Sequence, residues 1–154
     1  MEEEKKTNIP ISFRARIASI KLGEFIINDL SDKEKESIQV SKLVYEFQIG
    51  IKNDQSNKNI DVSLTVKFFS DQSKTLCVGQ ISSTGLFSLE NYEELIEKHN
   101  AIPAGIAGNF AGILISSTRG FLLLKSEGTL IEGALMPMID ITQLVLHEVH
   151  KKKQ

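Results

Sequence analysis

The chain holds a single cysteine, Cys77, so no disulfide can form within it, and a reducing, cytoplasmic setting is the simpler reading. It has almost no charge excess. Eighteen basic against 20 acidic side chains leave a formal net charge of -2, too little to draw it to nucleic acid or an anionic membrane. The opening residues Met1 to Lys6 are charged and no apolar stretch follows them, so they do not read as a secretory leader. No run approaches the ~20 apolar residues of a bilayer-crossing helix, because Gly, Ser, Arg119 and Lys125 interrupt the longest stretches. Catalytic signatures are missing too. Ser82-Ser83-Thr84 and Ser116-Ser117-Thr118 have no patterned His or Asp partner for a nucleophile. Gly105-Ile106-Ala107-Gly108 lacks the Lys-Ser/Thr ending of a phosphate loop. His147 and His150 stand three residues apart beside Glu148, but neither His99 nor any other residue supplies a third ligand at metal-site spacing. Basic residues are dispersed and not interleaved with aromatics, which argues against nucleic-acid binding. The expectation is a protein that is not an enzyme, carries no cofactor or metal, and does not enter a membrane.

What is present is a good supply of apolar residues, 41% of the chain, with enough length for one domain and a real core. The expected layout is a flexible charged arm over 1–10, a single domain over 11–150 and a basic tail over 151–154. Ile11, Phe13, Ala15 and Ile17 alternate with polar residues, the mark of a half-buried strand. The alternation slips to Ile20 and Leu22, which predicts a bulge or bend near Ser19, and Phe25 to Ile27 continues extended. Ser31 to Ser37 reads as a charged loop. Tyr45 to Ile51 and Ile60 to Phe68 alternate cleanly on either side of the turn-rich stretch Asn53 to Asn59, which predicts an antiparallel hairpin. Thr75 to Leu89 is a fourth strand, polar on both faces or bulged between Gln80 and Thr84. Strands this close together, with no helix between them, predict an antiparallel meander.

Helical signals take over after Leu89. Asn91 stands as a cap, with Glu93 and Glu94 where a helix dipole favours them. Pro103 opens a second helix rich in small residues, and Gly120 is its natural stop. Six Gly and Ala between Ala104 and Gly112 are poor helix formers in part, which points to close approach of another backbone. Phe121 to Met138 is then apolar and irregular, and Asp140 or Thr142 caps a last helix containing Leu144, Val145 and Val149. Arg119 at a helix end is expected to bond nearby carbonyls or to pair with a carboxylate. Cys77 is expected to be a buried, inert thiol.

This order resembles the SecB-type protein-export chaperones from about Phe13 to Leu146. Phe13 and Arg16-Ile17 are similar to the family's first strand. Leu76-Cys77 through Gly85-Leu86-Phe87-Ser88 is similar to its fourth. Ile102-Pro103, Phe110-Ala111 and Arg119-Gly120 match its long helix, and Met136-Pro137-Met138-Ile139-Asp140 matches the segment opening its last helix. The resemblance implies an α+β fold: a four-stranded antiparallel sheet followed by a long helix, an extended crossover and a C-terminal helix. It also implies an ATP-independent cytoplasmic chaperone that binds unfolded client polypeptides as a dimer of dimers. The chain departs from the family in being nearly neutral. Gln80 and Lys21 stand where the family offers carboxylates to the export translocase ATPase, so docking to that ATPase is expected to be weak or absent.

The expected client surface is Phe25 and Ile27, together with Leu123, Leu124, Leu130, Ile131, Met136 and Met138 in the crossover, where thioethers adapt to many partners. Gly105, Gly108, Ala111 and Gly112 are expected to meet a second copy. The rival reading is a binding or assembly protein on the same fold with one dedicated partner, such as a chaperone for a single antitoxin. Breadth of clients separates the two.

Overall fold

Alternation at period two gives each strand one apolar side, and four strands bury those sides together under a long helix. The structure, a computed structural model, describes residues 12–144. The expected arm, the basic tail, the His147/His150 pair and most of the last helix lie outside the described residues.

Strands β1 (Ala15–Ile27), β2 (Val44–Asp54), β3 (Asn59–Phe69) and β4 (Cys77–Leu89) form one antiparallel sheet in the order β1-β4-β3-β2. This corrects the expected meander. β2, β3 and β4 are consecutive neighbours, but β1 pairs with β4, at the far side of the sheet from β2. The link between β1 and β2 is correspondingly long, and its charged part is not a loop. It is a helix, α1 (Asp32–Ser37), closed by a capping box: Ser31 Oγ accepts from Glu34 N–H at 3.3 Å, and Glu34 Oε2 accepts from Ser31 N–H at 2.8 Å. Leu30 and Leu43 are buried at either end of this link and anchor it in the core.

The hairpin of β2 and β3 stays in register from Val44↔Phe69 to Asp54↔Asn59. Its turn is held by Asp54 Oδ1, which accepts from Asn57 N–H at 3.2 Å, with Lys58 in the left-handed region at φ 55°. β1 carries a bulge between Ile17 and Ser19, where the alternation slips, and a second between Leu22 and Phe25. At the second, Ser82 Oγ accepts from Glu24 N–H at 2.9 Å, and a Cβ on Gly23 would come within 2.5 Å of that hydroxyl. Because β1 absorbs both bulges, β4 is regular from Gln80 to Thr84 with Ile81 and Ser83 buried inward, which corrects the two-faced reading. Cys77 is half-buried and not sealed in the core.

After β4, Glu93–Glu97 winds as a π turn. Asn91 does not cap it. Tyr92 holds that place with no side-chain bond to the helix, is itself fully buried, and donates its hydroxyl to Asn53 Oδ1.

The second α-helix, α2 (Ala104–Ser126), runs through the expected stop at Gly120. Gly120 costs roughly 1 kcal/mol relative to Ala in a helix interior, and burial of Leu122 two residues further on offsets it. The chain turns instead at Gly128, which adopts φ 71° just past the helix, so Phe121 to Ser126 is helical and only the remainder of the crossover is irregular. Buried positions recur every four residues, Ile106, Phe110, Leu114, Thr118, Leu122 and Ser126. They follow β4 downward. Phe110 stacks on Phe87 at 4.3 Å and 8°, a Cβ on Gly85 would lie 3.5 Å from Leu114, and Thr118 Oγ1 lies 2.6 Å from Ser83 Oγ. Four helical residues rise about 6 Å and two strand residues about 6.8 Å, so this match persists along the helix. Phe13 packs edge-on against Phe110 at 6.2 Å.

By length and composition α2 is apolar enough to cross a bilayer, contrary to the reading from run lengths. Gly, Ala and Ser interrupt apolar runs while adding little polarity. Most of its buried residues follow the sheet, as in the central helix of a layered α+β domain, while buried Ile115 borders the groove on the other side. Beyond the crossover, residues 141–144 are helical, and Asp140 Oδ1 accepts from Thr142 N–H at 3.0 Å, the expected cap.

Candidate functional site

A helix with one face buried must show another. On α2 the positions between the buried ones are Gly105, Gly108, Asn109, Gly112, Ile113 and Ser116 toward the N-terminal end, then Leu123 and Leu124. The first group forms the floor of an open groove of about 890 Å³, whose opposite wall is Met138, Ile139, Ile141 and Thr142. Three glycines, Gly105, Gly108 and Gly112, leave the floor low between Asn109, Ile113 and Ser116. A Cβ on Gly105 or Gly108 would meet nothing within 4 Å, and only Gly112 is closely approached, by Ile141 Cδ1 at 3.1 Å.

Arg119 fixes the wall to the floor. Its Nη2 donates to Pro137 O at 2.8 Å, as expected of an arginine that bonds nearby carbonyls, though from within α2 and not at its end. Among the described residues its buried Nε has no hydrogen-bond partner and Arg119 makes no ion pair.

The expected client residues divide by exposure. Met138 is 93% exposed at the groove wall, and Leu124 and Leu123 are 69% and 44% exposed on α2. Leu130 is half-buried, while Ile131 and Met136 are in the core. Phe25 and Ile27 are half-buried on the helix-covered face of the sheet, paired with Ile81 and Gly79. Of the residues expected to meet a second copy, Gly105, Gly108 and Gly112 line the groove, and Ala111 is fully buried toward the sheet. Sequence reasoning missed Ile113 and Leu135, the latter 69% exposed. A signal existed for each: Ile113 falls on the glycine side of the helical period, and Leu135 alternates with buried Ala134 and Met136.

The other face of the sheet is polar. Cross-strand neighbours Lys52/Asp61 and Glu46/Lys67 oppose unlike charges. Lys74 Nζ lies 2.8 Å from Glu46 Oε2, and that bond holds the Glu46 carboxyl below the usual carboxylate range. Lys21 and Gln80 belong to this face, opposite Thr84 and Ile26. It carries mainly charge and hydroxyls, with Ile26 40% exposed among them, whereas Leu123, Leu124, Leu135 and Met138 are exposed on α2 and the crossover, so a partner with apolar side chains is better served there.

No protein-family model matches the chain, and no curated protein matches it. Among solved structures, the SecB-like chaperone Rv1957 of Mycobacterium tuberculosis, in complex with a ChAD peptide from the antitoxin HigA1 (Rv1956), matches with a TM-score of 0.50. The two are 14% identical, and the match covers 82% of this chain and 90% of the other. A protein of unknown function from Streptococcus agalactiae matches at 12% identity over 84% of this chain, with a TM-score of 0.38 that supports no argument. The likeness to Rv1957 concerns the backbone alone. The sheet, the long helix, the crossover and the helix that follows make a SecB-like α+β fold.

Proposed function

We propose that this protein is an ATP-independent cytoplasmic chaperone that holds non-native polypeptides on the outer face of α2 and along the crossover. The observation that carries the reading is the exposed apolar surface where a core helix would ordinarily be covered: Leu123, Leu124, Leu135 and Met138 beside the glycine-floored groove. Gly105, Gly108 and Gly112 let a client backbone approach the floor closely whatever its sequence, and Met138 adapts to what it meets. Client burial supplies ~25 cal/mol per Å² of apolar area before ordering costs, which suits reversible holding. The Rv1957 structure, a SecB-like chaperone with an antitoxin peptide bound, makes a polypeptide ligand the natural choice on this fold.

The chain works as a homo-oligomer, and Gly105 and Gly108 favour a second reading in which another copy covers part of the groove, since both leave open space above the helix. A dedicated single partner, such as one antitoxin, is the functional rival. Suppression of aggregation of several unrelated denatured proteins at near-stoichiometric ratios supports the general chaperone. Suppression of none of them, with tight binding to one cognate chain recovered from the native host, supports the dedicated role.

A further inference from the structure

We draw no further inference here: the strongest candidate, the open groove between α2 and residues 138–142, belongs to the site already described, and nothing among the described residues shows what covers it.

Discussion

The Thr118 hydroxyl donates to Leu114 O at 2.7 Å and meets Ser83 Oγ at 2.6 Å, and both residues are buried between α2 and β4. Thr118→Val leaves the Ser83 hydroxyl buried without a partner and should cost about 1–3 kcal/mol. The double variant Ser83→Ala/Thr118→Val should recover part of that loss, because no orphan remains. Urea unfolding of the two single variants and the double variant measures the coupling. Neither residue stood out in the sequence except as a possible nucleophile, because a hydroxyl in a Ser/Thr run does not announce what it faces. Apolar residues have the opposite problem. Leu123, Leu124 and Met138, read as client-binding, are exposed, but Ile131 and Met136 read the same way and are core. Their apolar character is shared. What separates them is the side of the chain on which each falls, and in an irregular segment no period declares that.

At the level of elements, α2 ends where backbone geometry demands glycine, not at the first glycine it meets. Gly120 is helical with nothing within 4 Å of an added Cβ, so Gly120→Ala should stabilise the protein by about 1 kcal/mol. Gly128 sits at φ 71°, and Gly128→Ala should destabilise it by about 1–2 kcal/mol through left-handed strain. Opposite shifts in thermal midpoint test the pair. The α1 cap adds a pH dependence. Bonds from Ser31, first to its side chain and then to its backbone, hold the Glu34 carboxyl below its ordinary value of 4.5. A depressed acid stabilises the fold above its ordinary value, and that support is lost as pH falls through the lower folded value. Amide exchange at Glu34 and Lys35 should therefore lose protection below about pH 4.5 sooner in native protein than any core amide does. This cap is readable as Ser31-x-x-Glu34, but a stretch as short and charged as Ser31 to Ser37 reads first as a loop. The hairpin was legible because its register is local. The pairing of β1 with β4 was not, since alternation says which face of a strand is apolar and nothing about which distant strand lies beside it.

For the molecule as a whole, the fold class was legible from element order, and its SecB-like form agrees with the match to Rv1957. The groove was only half legible. Its glycines were conspicuous, but the wall facing them arrives from residues 138–142, brought there by the crossover and by Arg119. A dimer or tetramer at micromolar concentration is the expected assembly, read by light scattering. The central claim is that the exposed side of α2 holds non-native chains, and Leu124 reports on it most cleanly because it is 69% exposed and its loss leaves the core untouched. The decisive measurement is the affinity of a permanently unfolded, labelled protein for native chain and for Leu124→Asp, with mass and thermal midpoint recorded on the same samples. The account predicts a loss of affinity of about tenfold or more with mass and midpoint unchanged. Undiminished affinity in a folded Leu124→Asp of native mass would contradict it.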